Sequence, residues 1–307
     1  MTVYCLYGLI VYFSGNEKIL WFNKWTSFQA LTSTFVNRNN FAAYAGIGLN
    51  CLIAYSFWLF TTTSVSFSSK YKFFDFFNRH PTQVIALSLS FAIVFTALLL
   101  TGSRAGIFSV IIAITYLNFR LYFYSKNRPH DQEKVTSLNK ILPVFLICLW
   151  AMFLLSGDLL VNRLNSGLVD KYRLETYSLI VHLIENVPLY GTGLGSFPEV
   201  FSQHRTVNLH VLLIRAHNDY LEILLTAGPF VGGIFIVLLL LFLFRLIFNK
   251  PPSSPMSPFS IATTSIMIQL ALHSSVDFPL QMPAIAITMC GIIGANAVLW
   301  CKHPASK

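Results

Sequence analysis

Apolar residues run through this chain in stretches long enough to cross a bilayer, separated by short polar intervals. A spanning helix needs about 20 such residues, and windows of about 19 residues predict helices near 41–63, 83–102, 105–124, 141–157, 219–247, 259–276 and 281–301. A shorter apolar run at 3–13 has no basic stretch before it and no small-residue cleavage site after it, so it does not read as a signal peptide. It is expected to be the stump of a helix that begins upstream, the chain being a piece of something longer. The long interval between apolar segments lies between Val161 and Gly228. The pattern predicts an all-α fold, a multi-pass transmembrane helical bundle with one large outside loop containing an amphipathic helix. N-terminal transmembrane helices are expected over 1–157, the loop over 158–218 and C-terminal transmembrane helices over 219–307.

Composition agrees, with 55% hydrophobic and 11% charged residues, too little charge for the surface of a soluble domain of 307 residues. Charge then sets orientation. With the N-terminus cytoplasmic, the inside loops carry twelve of the 21 bases and three of the twelve acids, and the outside segments carry nine of each. The whole net charge of +9 therefore lies inside, as the positive-inside rule expects. Basicity here reports topology, and no nucleic-acid partner is expected; the partner it implies is the lipid bilayer. The five cysteines, Cys5, Cys51, Cys148, Cys290 and Cys301, lie in or beside apolar runs without CxxC or Cys/His spacing and read as small core residues. His204, His210 and His217 are six and seven apart, which is not a ligand pair on a helix, so neither a metal nor another cofactor is expected.

The outside polar groups are few enough to weigh singly. Trp21, Phe22, Trp25 and Phe28 suit the headgroup interface. Arg38, among Asn37, Asn39 and Asn40, either caps the next helix or helps to bind an anion. Arg104 stands in the tight turn TGSRAG between two spans, where it either snorkels cheaply to the edge or holds a ligand. Residues 170–188 read as an amphipathic helix, with Leu174, Tyr177, Val181 and Ile184 on one face, Asp170 as N-cap and Pro188 as the stop. Lys171 and Arg173 occupy its first turn, against the preference of the helix dipole. Either neighbouring acids neutralise them or an anionic ligand does.

The following GTGLGSFP run resembles a nucleotide loop only superficially. No strand precedes it, no Lys-Ser/Thr follows, and Pro198 is expected to interrupt any helix after it, so it reads as a turn with close backbone packing. In RAHNDYLEILLTAG, Asp219 and Glu222 have capping-box spacing, which sets His217 just outside a helix N-terminus and beside Arg215. The dipole there favours neutral imidazole, the form a general base needs. His273 and Asp277, at the last outside turn, are expected to be structural, at most touching residues of the site.

Arginine binds phosphate through a planar fork that keeps its charge, and a neutral histidine beside it can take a proton from a hydroxyl. The simplest chemistry that uses both is group transfer from a lipid pyrophosphate to an acceptor alcohol, the arginines holding the leaving group. Arg38, Arg104, Lys171, Arg173 and Arg215 are the candidate substrate-binding residues and His217 the candidate catalytic one.

The ordered succession FVNRNNFAAY, TGSRAG, YRLETYSLIVHLIENVPLYGTGLGSF, AHNDYLEILLTAG and HSSVDFPL resembles the O-antigen ligase and polymerase superfamily of bacterial inner membranes, from about Phe35 to Asp277. The resemblance implies a metal-independent membrane glycosyltransferase of lipopolysaccharide biosynthesis. It would move an oligo- or polysaccharide from undecaprenyl pyrophosphate to a periplasmic acceptor, which is lipid A-core, a growing glycan or a protein. It further implies that the loop and site face the periplasm, that Arg104 and Arg173 match the pyrophosphate-binding arginines and that His217 matches the proposed base. An O-antigen polymerase or a protein O-oligosaccharyltransferase fits the same residues. Family members usually carry more helices before the NRNNFA segment, so this chain alone is expected to be a partial enzyme. From another class, a non-catalytic transporter of lipid-linked sugar also binds such a donor; the twelve acids lie in loops or at helix ends, which disfavours ion coupling.

Overall fold

A computed structural model describes residues 1–63, 78–126, 171–205, 212–251, 254 and 256–302. The expected helix at 141–157, the expected cap Asp170, and Cys148 and His210 lie outside the described residues. Among these residues the fold is almost wholly helical: α1 (Thr2–Phe13), α2 (Arg38–Thr63), α3 (Pro81–Leu100), α4 (Arg104–Lys126), α5 (Lys171–Asn186), α6 (Phe197–His204), α7 (Asp219–Thr226), α8 (Gly228–Phe248), α9 (Ser257–Ser274) and α10 (Pro283–Lys302). A two-residue antiparallel pairing of Lys18–Ile19 with Phe22–Asn23 is the sole sheet among them. Helices α2, α3, α4 and α8 are long and apolar enough to cross a membrane. The chain is a multi-pass helical membrane protein.

It divides into two compact units. In the first (residues 1–150, 250–270 and 284–307), α2 packs on α3 and α4. Small residues let the helices approach, as membrane packing requires. A Cβ on Gly46 would lie 2.2 Å from Val110 Cγ2 and 2.5 Å from Gln269 Nε2. Phe41, Ala42, Ala45 and Leu49 of α2 close the core with Val94, Leu98, Val110 and Ile114. Three polar groups buried there find each other: Asn50 Nδ2 donates to Gln269 Oε1 at 3.1 Å, Gln269 Nε2 donates to the Ala43 carbonyl at 2.8 Å, and Ser265 Oγ lies 2.6 Å from both Asn50 Oδ1 and the Ala113 carbonyl. In an apolar interior, an unpaired amide would cost several kcal/mol, roughly.

The second unit (residues 151–249 and 271–283) carries the expected amphipathic helix, α5. It buries a second face against protein. Thr176, Ile180 and Leu183 are the buried positions, whereas Leu174 and Val181 are exposed. The reason is α6, which the proline was expected to forbid. Pro198 sits in the first turn, where its missing N–H has no intrahelical partner to lose. Phe197 and Phe201 of α6 stack, ring centroids 5.5 Å apart, and bury themselves with Ile180, Leu183, Ala216 and Leu225.

The single helix expected over 219–247 is also corrected. It breaks at Ala227–Gly228, with Gly228 at φ +84 and Pro229 in the first turn of α8. The freed carbonyls are taken by the GTGLG turn: Thr192 N–H donates to Leu225 at 3.2 Å and Gly193 N–H donates to Thr226 at 2.8 Å. Gly191, at φ +78, must be glycine, because a Cβ there would lie 2.3 Å from Gly228 N. The close backbone packing read from this run is present. Only α8 is left to span; α7, at eight residues, is too short.

Candidate functional site

In the second unit the site is built on the N-terminus of α7. Asn218, with extended backbone, is the cap: its Oδ1 accepts the N–H groups of Tyr220 at 3.0 Å and Leu221 at 3.1 Å. The cap expected at Asp219 is therefore one residue earlier and no capping box forms, because both acids are drawn to other donors. Both acids are buried and do other work. Glu222 reaches back, accepting Arg215 Nη1 at 3.0 Å and the Ala216 N–H at 2.8 Å. Asp219 accepts Ser274 Oγ at 2.8 Å, the Leu280 N–H at 3.1 Å and Gln281 Nε2 at 2.9 Å, which ties the helix to the 274–281 turn. Burial still dominates, and the Asp219 carboxyl is raised to about 6 against those three donors.

These ties fix His217 in the left-handed region, at φ +53, a conformation that costs a non-glycine residue of order 1–3 kcal/mol and persists only when its surroundings enforce it. Tyr177 of α5 donates its hydroxyl to the His217 carbonyl at 2.5 Å, and Asn218 Nδ2 donates to the Ser275 carbonyl at 2.8 Å. The imidazole edge meets the Phe278 ring, centroids 5.0 Å apart. His217 Nδ1 lies 3.4 Å from Oδ1 of Asp277, outside hydrogen-bond geometry, and the contact is an ion pair only when the imidazole is protonated. The His217 side chain is 27% exposed and that of Asp277 is fully buried. The edge carrying Nδ1 thus faces the acid, and Nε2 makes no hydrogen bond among the described residues.

Burial pushes the Asp277 carboxyl up, but the His217 contact, His273 and the Phe278 N–H at 2.9 Å outweigh it and hold it below the usual carboxylate range. It is a standing negative charge beside the imidazole. Arg173 Nη1 donates to the Val276 carbonyl at 3.3 Å, one residue from Asp277. His273 is wholly buried, and neither of its ring nitrogens has a hydrogen-bond partner among the described residues.

Of the predicted residues, Arg173, Arg215 and His217 fall in this unit, with Arg215 committed by one nitrogen to Glu222. Lys171 opens α5; its side chain lies outside the described residues. Arg38 and Arg104 belong to the first unit, where each opens a helix, α2 and α4. A Cβ on Gly102 would stand 3.7 Å from Arg38 Nη1, so the Arg38 guanidinium lies against the turn that presents the exposed Arg104. Helix N-termini and two guanidinium groups favour an anion there.

Sequence reasoning did not pair Asp277 with His217, although it noted the turn; a partner sixty positions away leaves no periodic signal. Nor did it find Tyr177, read as part of an apolar face. Among the described residues no three His, Cys, Asp or Glu side chains gather as a metal site requires. Residues 89–237 match the family model described as O-Antigen ligase. No curated protein and no solved structure matches the chain.

Proposed function

From the membership of this chain, through residues 89–237, in the O-antigen ligase and polymerase superfamily, we propose that this membrane glycosyltransferase is of the ligase type, taking a glycan from undecaprenyl pyrophosphate without a metal and passing it to a periplasmic acceptor. The observation that carries the chemistry is His217, held in a strained backbone conformation with Nδ1 toward buried, ionised Asp277. An imidazole so placed offers Nε2 to an acceptor hydroxyl.

The acceptor oxygen attacks the anomeric carbon of the donor sugar and its proton passes to His217 Nε2. The new glycosidic C–O bond forms as the bond from that carbon to the pyrophosphate oxygen breaks, and undecaprenyl pyrophosphate leaves with the electron pair. Asp277 stabilises the imidazolium that develops, which is the role of a charged orienting acid beside a base. Arg38, Arg104, Arg173, Arg215 and Lys171 are assigned to the leaving group's charge. Their support is the chemistry of the guanidinium and ammonium groups and the motifs in which they stand.

The inner-membrane location and the periplasmic facing of the loop are supported by the one-sided distribution of the +9 charge. The test is a gel profile of surface polysaccharide from a strain deleted for the gene and restored with wild-type or His217→Ala protein. Core lipid without chains, with undecaprenyl-linked polymer accumulating, is the expected result for the variant. Core bearing a single repeat would make the enzyme a polymerase, and an unchanged ladder would overturn the base assignment.

A further inference from the structure

Beyond the arginine pair, the first unit holds a cavity of about 340 Å³ between the C-terminal half of α1 and the 15–33 segment. Pockets that take small ligands begin at about 300 Å³. Tyr12, Asn16, Glu17, Lys24, Gln29 and Thr32 supply its distinctive lining. Thr32 is 2% exposed as a residue and lines the cavity, and its hydroxyl makes no hydrogen bond among the described residues. Lys24 spends one donor on the Ala30 carbonyl at 2.8 Å and keeps two. Glu17 brings an acceptor of opposite charge, and the amides of Asn16 and Gln29 bring both kinds of group. The set is neutral in sum and mixed in donors and acceptors, with an aromatic wall. Hydroxyl groups on a ring with an apolar face match it; a lone phosphate, opposed by Glu17, does not.

Strain marks the same place. Leu20, Ser27, Gln29 and Ser33 all have φ between +51 and +58, and two of them line the cavity. Non-glycine residues held this way cluster where function requires them. The segment is also pinned to the arginine turn: Leu31 N–H donates to the Leu100 carbonyl at 3.1 Å, one residue before the turn, and Arg38 N–H reaches Ser27 Oγ at 3.5 Å. A neutral polar cavity thus adjoins the corner where Arg38 and Arg104 open their helices.

We infer that this cavity is a subsite for an uncharged pyranose carried next to the pyrophosphate of the lipid-linked donor, with Thr32 and Gln29 reading its hydroxyl or acetamido groups. The inference rests on the donor reading above but adds that the enzyme recognises the sugar itself, through a segment outside residues 89–237.

The test measures binding of undecaprenyl pyrophosphoryl-N-acetylglucosamine and of bare undecaprenyl pyrophosphate to the full chain in nanodiscs. Wild type is expected to prefer the sugar-bearing lipid. Thr32→Val and Gln29→Gly, the second chosen because glycine accepts the left-handed backbone, are each expected to weaken that lipid by about threefold to tenfold, one hydrogen bond's worth. Both should leave the bare lipid within about twofold and the protein monodisperse. Equal weakening for both lipids, or none for either in both variants, overturns the subsite. So does a wild type that binds both lipids alike, which leaves the donor reading standing. A wild type that binds neither lipid overturns the donor reading and the subsite together.

Discussion

The carboxylate of Asp277 stands 3.4 Å from Nδ1 of His217, fully buried behind an imidazole that still reaches solvent. In the proposed transfer the acid holds the charge that develops on the ring. His217→Ala should lower kcat by about 10²- to 10⁴-fold, the usual contribution of a general base. Asp277→Asn should cost at least about tenfold, and the double variant should be no worse than His217→Ala, because the acid acts through the histidine. Single-turnover transfer rates for the four proteins decide it; additive losses would separate the two residues.

Arg38 and Arg104 are assigned as forks rather than as point charges. Arg38→Lys and Arg104→Lys should each lower kcat/KM by about tenfold to a hundredfold, the worth of a charge-assisted hydrogen bond. A snorkelling arginine would tolerate lysine, so full activity of Arg104→Lys, measured with membrane insertion intact, removes that residue from the site.

Stability should depend on pH through two carboxyls of opposite sign. Asp219 is raised from 3.8 to about 6, so the folded chain binds its proton more tightly than the unfolded chain does. Its contribution is greatest at low pH and is lost as pH rises from about 4 to about 6. Asp277 is depressed below 3.8, so its contribution is complete above that pH and is lost as pH falls through its folded value. Melting temperatures of wild type and Asp219→Asn between pH 4 and 7 should differ by an amount that changes with pH, the variant lacking the fall across this window. A constant difference would mean that the burial of Asp219 carries no titration.

Gly191 and Gly228 are locked backbone to backbone. Gly191→Ala or Gly228→Ala must both occupy a positive φ and push the two segments apart. Each is expected to cost about 2–4 kcal/mol from overpacking and the left-handed backbone together. Gly193→Ala, also at positive φ but with open space around it, should cost only the backbone share. Melting temperatures of the three variants test the ordering.

Much of this was legible in the sequence. The spans could be found because lipid demands long apolar runs, and His217, Arg104 and Arg173 stood out as candidates because few polar groups are left over once the spans are removed. What escaped depended on contacts distant along the chain. The break at Gly228 is written locally as Ala-Gly-Pro, but an apolar window averages over it. The cap at Asn218 differed from the expected one by a single residue, and only the competing duties of Asp219 show why. The helix α6 escaped because Pro198 reads as a breaker until the helix start is known, and with α6 went the protein-facing positions of α5.

The corner between α7 and α8 carries a last consequence. Gly232 lies so close to α7 that a Cβ would meet the Ile223 carbonyl oxygen at 2.7 Å, and Gly228 is clasped by the GTGLG turn, so the corner has little slack. A spanning helix answers a thicker or thinner bilayer by changing its tilt. A tilt of α8 is therefore expected to pass through this corner to α7 rather than to be absorbed at the start of α8. A change in bilayer thickness is therefore expected to reach the N-terminus of α7, where Asn218 is the cap.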